Sequence, residues 1–165
     1  MISKKICMVG DFGVGKSSTV ARYVQNVFSE KYQTTVGVKI DTKEVLLPDG
    51  QSLKMVLWDI AGTDNLKQMN ANYLRGAAGY LLIADGTRAE TLETALELKK
   101  QIDTVAGDIP FVGLLNKADL VDDWEIPESQ YEGLLARSWQ FYKTSALDGA
   151  NIEQAFSDLA LKVIG

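Results

Sequence analysis

The chain has 165 residues, of which 46 % are hydrophobic and 24 % are charged, and its formal net charge is −5. This length fits a single domain over residues 1–165 with a substantial core, and the negative charge argues against a nucleic-acid partner or a polybasic membrane patch. The one cysteine, Cys7, excludes an intrachain disulfide, which favours a reducing, cytoplasmic location. No apolar stretch approaches the roughly 20 residues of a membrane span, so we expect no direct membrane anchor in this chain.

The first half of the chain predicts a strand, a helix and a two-stranded hairpin. The apolar run Ile2–Val9 predicts a strand. The helix that follows begins in a glycine-rich loop, and its apolar face carries Val20, Val24 and Val27. Strands are also predicted over Val38–Leu47 and Ser52–Trp58, and the turn residues Pro48-Asp49-Gly50 between them indicate an antiparallel hairpin.

The second half of the chain alternates strands and helices. Short apolar runs at Tyr80–Ala84 and Phe111–Leu115 are typical of buried parallel strands, and Trp139–Lys143 is expected to be the last strand. Pro127 is expected to open a helix that runs to about Ser138. Between the first two of these strands, apolar residues keep helical spacing at Leu92, Ala95, Leu96, Ile102, Val105 and Ala106.

The last predicted helix has the most regular pattern. Its apolar positions follow the helical repeat at Ile152, Ala155, Phe156, Leu159, Ala160 and Val163. Asn151 is predicted to cap its first turn, with Gln154 at the third helical position. The alternation of strands and helices predicts an α/β fold, with a mostly parallel sheet covered by helices on both faces and ligands bound beyond the carboxyl ends of its strands.

A phosphate-binding loop follows the first strand. Residues 10–17 read Gly-Asp-Phe-Gly-Val-Gly-Lys-Ser, which matches G-x-x-x-x-G-K-S and stands between a strand and a helix, as that motif requires. The glycines let successive N–H groups point at phosphate oxygens. Lys16 is expected to reach the β- and γ-phosphates, and Ser17 is expected to bind Mg²⁺. The alternative is an ordinary glycine-rich turn.

A second motif, Asn116-Lys117-Ala118-Asp119, follows a predicted strand directly. An aspartate here can accept hydrogen bonds from the N1–H and the exocyclic amine of guanine. Adenine offers neither donor at those positions and would leave the carboxylate unpaired, and sites of that kind reject the wrong analogue by roughly 10⁴–10⁵. The motif alone is weak, because polar loops after strands are common, but downstream of a phosphate loop it favours guanine over adenine.

Three further segments contain candidate contacts to Mg²⁺, the γ-phosphate or guanine. Asp59-Ile60-Ala61-Gly62 ends a predicted strand, so Asp59 can hold Mg²⁺ through a water and the Gly62 N–H can meet a γ-phosphate; the alternative is a strand-ending aspartate before a glycine turn. The hydroxyl of Thr34 or of Thr35 could coordinate Mg²⁺, or Thr35 could be an ordinary loop threonine. In Ser145-Ala146-Leu147, which follows the last strand, a backbone N–H could recognise the guanine O6.

Together, these segments resemble the small GTPases of the Ras superfamily, and their residues are most similar to those of the Rab-like branch. The resemblance covers essentially the whole chain, in the family's order and spacing. It rests on residues 10–17, Tyr32-Gln33-Thr34-Thr35-Val36-Gly37, Trp58-Asp59-Ile60-Ala61-Gly62, Tyr73-Leu74-Arg75-Gly76-Ala77, Asn116-Lys117-Ala118-Asp119 and Thr144-Ser145-Ala146. It implies one small G-protein domain over residues 1–165, of the P-loop NTPase class, with a six-stranded sheet and five helices.

The resemblance also implies roles for individual residues. Thr35 would bind Mg²⁺ with Ser17 and, through a water, Asp59; Phe28 would pack on the guanine edge, Lys117 would cover the base face, and the Ala146 N–H would bind O6. The implied nucleotide contacts are Gly13, Val14, Gly15, Lys16, Ser17, Ser18, Phe28, Asn116, Lys117, Asp119, Ser145 and Ala146. The implied catalytic positions are Lys16, Thr35, Gly62 and Thr63. The implied effector surface is Ile40, Trp58 and Tyr73, although the two aromatic residues could simply pack between sheet and helix.

Three features depart from the family pattern. Thr63 stands where most members have the glutamine that orients the attacking water, and its hydroxyl is too short to act in the same way. Phe12 occupies a phosphate-loop position where the family uses small residues, so its ring could crowd an incoming arginine. The sequence ends at Gly165 without the family's variable tail and lipid-accepting cysteine, and prenylation needs that cysteine.

The sequence therefore predicts a molecular switch that binds GTP or GDP with Mg²⁺, hydrolyses GTP slowly and engages effectors through loops around Thr35 and Gly62. Its partners would be an exchange factor, an activating protein and an effector. A second interpretation is a protein-binding module that stays predominantly GTP-bound with negligible hydrolysis. A third, a metabolic phosphotransferase or ATPase, is disfavoured by Asp119 and by a chain too short for a separate substrate domain.

Overall fold

The computed structural model describes residues 2–25, 38–60 and 71–165. The strands are β1 (Ile2–Gly10), β2 (Val38–Leu46), β3 (Ser52–Ile60), β4 (Ala77–Asp85), β5 (Phe111–Asn116) and β6 (Phe141–Lys143). The helices are α1 (Lys16–Gln25), α2 (Ala71–Leu74), α3 (Ala89–Ala106), α4 (Glu128–Ala136) and α5 (Ile152–Ile164). Within these ranges, no helix combines the length and the apolar character needed to cross a membrane.

The six strands form one sheet in the order β2-β3-β1-β4-β5-β6. Strand β1 lies parallel to both β3 and β4, β5 and β6 continue the parallel arrangement, and β2 runs antiparallel to β3. The predicted six-stranded, mostly parallel sheet is confirmed. The chain places β3 on one side of β1 and β4 on the other, so the carboxyl end of β1 lies where such sheets bind ligands.

Helices cover both faces of the sheet, as the alternating residues of β1 illustrate. Ile6 and Met8 belong to the core beneath α1 and α5, whereas Cys7 and Val9 belong to the core beneath α2, α3 and α4. Burial raises the pKa of Cys7 to about 11, so the thiol stays neutral and behaves as a small buried hydrophobic side chain.

The predicted hairpin joins β2 and β3. In its turn, the Leu47 N–H donates to the Gln51 carbonyl at 2.8 Å and the Gly50 N–H donates to the Leu47 carbonyl at 3.0 Å. Gly50 adopts φ 88°, a left-handed conformation that glycine reaches without strain. Strand β3 continues two residues past its predicted end, to Ile60, and this extension places Asp59 inside the strand.

Several predicted boundaries were wrong by a few residues. The helix after Pro127 ends at Ala136, because the chain turns at Ser138, where φ is 64°. The last strand begins at Phe141 rather than Trp139. In the last turn of α3, Val105 is 47 % exposed although it continues the predicted apolar face. Helical periodicity alone does not indicate how far along the helix that face is packed against the sheet.

The predicted cap of α5 was also wrong. Asn151 lies in the left-handed conformation with φ 60°, and its side chain makes no capping hydrogen bond. Its Nδ2 instead donates to the Lys143 carbonyl at 2.8 Å, which ties the start of the helix to the end of β6. Asparagine tolerates this conformation better than most residues, so the same residue type serves a different local structure.

Candidate nucleotide-binding site

The phosphate loop runs from the end of β1 into the first turn of α1. A Cβ atom added to Gly10 would lie 2.4 Å from the Ile83 carbonyl oxygen, and one added to Gly15 would lie 2.3 Å from Asn116 Nδ2. These approaches require glycine at both ends of the motif. The loop backbone is therefore packed against the ends of β4 and β5, and this packing holds its curled shape.

Lys16 is the first residue of α1 and its side chain lies in the base of this loop. The residue is 7 % exposed, and its Nζ donates to the carbonyls of Gly10 at 3.1 Å and Asp11 at 2.9 Å. Burial lowers the pKa of Lys16, while the carboxylates of Asp59 and Asp11 oppose that shift. A buried ammonium group held by carbonyl oxygens at the mouth of a loop is well placed to bind a phosphate oxygen.

Ser17 and Asp59 meet beside the phosphate loop. The Ser17 Oγ donates to Asp59 Oδ2 at 2.5 Å, and the buried Asp59 Oδ1 has no hydrogen-bond partner among the described residues. Burial raises the pKa of Asp59, whereas Ser17 and Lys16 lower it. A hydroxyl and an unpartnered carboxylate oxygen are the hard oxygen ligands that Mg²⁺ prefers, so these residues fit the predicted metal.

The loop after β5 is bonded directly to the phosphate loop. Asn116 Nδ2 donates to the Val14 carbonyl at 2.9 Å, and Lys117 Nζ donates to the Gly13 carbonyl at 3.0 Å. On its other side, Asn116 Oδ1 accepts from Thr144 Oγ1 at 3.2 Å. Lys117 adopts φ 68°, a conformation that costs a lysine energy and that concentrates at functional sites.

Asp119 and the loop after β6 form the far end of the site. The Ser145 Oγ donates to Asp119 Oδ1 at 2.8 Å and accepts from the Asp148 N–H at 3.2 Å. Ala146 is nearly buried, and among the described residues its N–H makes no hydrogen bond. The Ser145–Asp119 bond, between residues 26 positions apart in sequence, thus brings the predicted carboxylate close to the segment that carries the predicted backbone donor.

Sequence reasoning missed Asp85, the last residue of β4. Its carboxylate is 1 % exposed and pairs with Lys117 Nζ at 2.8 Å and with Arg88 Nε at 3.1 Å. Arg88 also donates to the Phe12 carbonyl at 2.8 Å. One buried carboxylate therefore holds two cations, and each of them holds a carbonyl of the phosphate loop. A polar residue at the carboxyl end of a parallel strand was the signal that could have identified it.

Replacing Asp85 is expected to destabilise the protein. Burial opposes the charge on Asp85, but its bonds to Lys117, Thr87 and Arg88 keep the pKa of the carboxyl below its usual value. Removing one partner of a buried ion pair costs roughly 3–5 kcal/mol, and we expect about 1–3 kcal/mol for Asp85→Asn because both cations reach solvent.

The pH dependence of that loss has a defined sign. Because the pKa of Asp85 is depressed on folding, its contribution is fully present above the unfolded pKa and disappears as pH falls through the folded pKa. In urea unfolding, the difference in free energy of unfolding between wild type and Asp85→Asn should be widest near neutral pH and should close in acid. A gap that widens in acid would contradict this assignment, and the exposed Asp122→Asn supplies a charge-matched control.

The remaining predicted site residues divide into two groups. Phe28, Thr35, Gly62 and Thr63 lie outside the described residues. Ser18 lies in the first turn of α1 and is half-buried. Phe12 is 45 % exposed, and its N–H donates to Asp11 Oδ1 at 2.7 Å.

The three residues predicted as an effector surface differ in exposure. Ile40 on β2 is 49 % exposed, whereas Tyr73 on α2 is 5 % exposed. The Tyr73 hydroxyl donates to the Met8 carbonyl at 3.1 Å and also contacts the Trp58 carbonyl. Lys5 Nζ lies 3.8 Å from the centre of the half-buried Trp58 ring. Tyr73 thus ties α2 to the sheet, and the surface above it presents Ile40 and part of Trp58.

Comparison with known proteins agrees with this geometry. A sequence model of the Ras family matches residues 5–165. The Ras-related protein RABA1e of Arabidopsis thaliana is 35 % identical over 161 residues, which cover 96 % of this chain and 74 % of that protein. Rab11E of Lotus japonicus is 34 % identical over 161 residues, covering 96 % and 73 %, and YPTC6 of Chlamydomonas reinhardtii is 32 % identical over 161 residues, covering 96 % and 74 %. With its sheet order and its phosphate loop, the chain belongs to the Ras family as a Rab-like small GTPase.

Proposed function

We propose that this chain is a guanine-nucleotide switch that binds GTP or GDP with Mg²⁺ and hydrolyses GTP slowly. The observation that carries the proposal is the direct bonding of the loop after β5 to the phosphate loop, from Asn116 to the Val14 carbonyl and from Lys117 to the Gly13 carbonyl. These bonds fix the position of Asp119 relative to Lys16. A ligand with guanine at one end and phosphates at the other would be held at both ends.

The phosphate end would be bound by groups that are already in place. Lys16 Nζ would exchange its carbonyl partners for β- and γ-phosphate oxygens, and the N–H groups of Gly13, Val14 and Gly15 would donate to the phosphates. Ser17 and Asp59 would hold Mg²⁺, Asp59 through a water; when bound, the ion neutralises phosphate charge. The backbone of the loop needs little rearrangement, because Asn116 and Lys117 already hold its carbonyls.

The guanine end would be bound by Asp119, Ser145 and Ala146. Asp119 would accept from N1–H and the exocyclic amine, with Ser145 holding its Oδ1. The Ala146 N–H would donate to O6. Lys117 would cover one face of the base, and Phe28 would pack on its edge.

Switching would come from the segments around Thr35 and Gly62. Thr35 would contact Mg²⁺ and the Gly62 N–H would contact the γ-phosphate, so loss of that phosphate would release both segments. An effector would recognise the GTP state through these segments and through Ile40 and the exposed part of Trp58, with the buried Tyr73 holding α2 beneath them. An exchange factor and an activating protein would set the lifetime of each state, and the switch would act in the cytoplasm.

The nucleotide preference is tested by displacement of a fluorescent GDP analogue. GDP and GTP should displace it in the presence of Mg²⁺, whereas ADP and ATP should require a concentration at least roughly 10⁴-fold higher. Lys16→Ala should lower the affinity for all of these nucleotides, because it removes a phosphate contact. Equal displacement by ATP and GTP would exclude the proposed function.

Thr63→Gln is expected to speed intrinsic hydrolysis by roughly ten- to a hundredfold, because a glutamine amide can position the attacking water. This effect reaches only the lower end of the roughly 10²–10⁴-fold that a positioned acid–base group contributes. Wild-type hydrolysis should fall below the roughly 10⁻⁴ s⁻¹ of a Ras protein without its activator. Single-turnover hydrolysis of bound GTP measures both rates, with Thr63→Ala as the control that adds no amide. A wild type as fast as Thr63→Gln would mean that another residue positions the water.

The same measurement separates two functional classes. Slow but measurable turnover supports a switch that cycles with the help of an activating protein. No detectable turnover would favour the predominantly GTP-bound binding module. Thr63 and Phe12, which both depart from the family pattern, are the reason for considering that module.

A further inference from the structure

We propose that Arg22 is a positioning residue for recognition of the guanine O6, because it anchors the loop that carries the Ala146 N–H. The inference rests on the proposed guanine recognition and adds a residue to it. Arg22 lies in the last turn of α1. It is 124 residues from Ala146 in sequence, and the fold places the two side by side.

The contact is a fork of charged hydrogen bonds. Arg22 Nε donates to the Ala146 carbonyl at 2.8 Å, and a terminal nitrogen donates to the carbonyl of Leu147. A planar guanidinium that binds two successive carbonyls fixes the orientation of both peptide groups. The backbone on the carboxyl side of the Ala146 N–H is therefore held from α1.

The rest of the loop is held by its own backbone and by the Ser145 side chain. The Gly149 N–H donates to the Ser145 carbonyl at 2.8 Å, and the Ser145 N–H donates to the Ala150 carbonyl at 3.2 Å. These bonds close the loop upon itself, and the Ser145–Asp119 bond joins it to the loop after β5. Arg22 adds a direct connection to α1, and its Cδ lies 3.7 Å from where a Cβ on Gly149 would stand.

Helix α1 consequently joins the two ends of the nucleotide site. Lys16 stands at its first residue and Arg22 six residues later, about 9 Å along the axis at the usual helical rise. A backbone N–H selects O6 only when it points at that atom, since hydrogen bonds weaken steeply away from linearity. Loosening the loop should therefore weaken O6 recognition more than contacts made by Asp119.

Nucleotide analogues separate this role from a general effect on stability. In 6-thioguanosine diphosphate, a weakly accepting sulfur replaces O6, while the donors for Asp119 remain. Inosine diphosphate keeps O6 and N1–H but lacks the exocyclic amine. The affinities of the full chain for GDP and these two analogues are measured by displacement in Mg²⁺ buffer, for wild type and for Arg22→Met.

Arg22→Met should raise the dissociation constant for GDP roughly tenfold, the scale of one charged hydrogen bond transmitted through the loop. The affinity for inosine diphosphate should fall by the same factor, and that for 6-thioguanosine diphosphate should fall much less. The preference for GDP over 6-thioguanosine diphosphate should therefore narrow, while the preference for GDP over inosine diphosphate should not change. Equal weakening of all three, or no weakening, would overturn the role assigned to Arg22.

Two further variants keep the test decisive. Lys43 Nζ donates to the Tyr23 carbonyl at 2.9 Å, so Lys43→Met removes a cation that contacts the same end of α1 without touching the loop after β6, and it should leave both preferences unchanged. Arg22→Lys keeps the charge but cannot bind both carbonyls with one planar group. Its preference for GDP over 6-thioguanosine diphosphate should fall between those of wild type and Arg22→Met. If Arg22→Met does not fold, a wild-type preference in Arg22→Lys overturns the proposal. A wild type that prefers GDP over neither analogue would instead refute the proposed guanine recognition.

Discussion

Asp119→Asn is expected to replace the preference for guanine with a preference for xanthine. The asparagine presents an N–H donor where the carboxylate presented an acceptor, and xanthine carries a carbonyl where guanine carries the exocyclic amine. Sites built on buried polar pairing discriminate by roughly 10⁴–10⁵, or about 5–7 kcal/mol. The Ser145 hydroxyl, now a donor to Asp119 Oδ1 at 2.8 Å, can rotate to suit either side chain.

The measurement is competition between GDP and xanthosine diphosphate for wild type and Asp119→Asn. Asp122→Asn removes the same charge from an exposed residue of the same loop and should keep the guanine preference. A variant that loses GDP affinity without gaining affinity for the xanthine nucleotide would show that Asp119 supports the loop rather than reading the base.

Phe12→Ala is expected to restore stimulation by an activator that inserts an arginine beside the γ-phosphate. Such an arginine contributes roughly 10³–10⁵ in rate, and the ring of Phe12 would occupy its path. The backbone of Phe12 is held on both sides, by Asp11 Oδ1 at its N–H and by Arg88 at its carbonyl. Movement of the ring out of the way therefore depends on its side-chain torsions.

Single-turnover hydrolysis with and without cell extract from the source organism tests this block. The extract should stimulate Phe12→Ala and Phe12→Gly far more than wild type. Val121→Ala, which removes a 74 % exposed apolar side chain away from the phosphate loop, should respond as wild type does. Equal stimulation of wild type and Phe12→Ala would mean that no steric block exists, and the activator would then act through the segment around Thr63.

The class of fold and the chemistry of the site's two principal motifs could be predicted from local sequence patterns. The phosphate loop and the Asn116–Asp119 segment are each an unbroken stretch of sequence, and each follows an apolar run that forms a parallel strand. Because the carboxyl ends of parallel strands share one edge of the sheet, their meeting could be predicted without coordinates. The hairpin and both helical layers could also be predicted from the sequence, because turn residues and hydrophobic periodicity are local signals.

The other side chains that support the site are brought to it by the packing of elements distant in sequence. Asp85 holds Lys117 and Arg88, and Arg22 holds the Ala146 carbonyl, through contacts between residues up to 124 positions apart. No local pattern marks such pairs, since an arginine at a helix end is usually a solvated charge. Asn151 shows the converse: a residue type that favours helix caps took a left-handed conformation, because its amide found the Lys143 carbonyl. Local sequence specified what each loop binds, and the packing of distant elements specified what holds each loop in place.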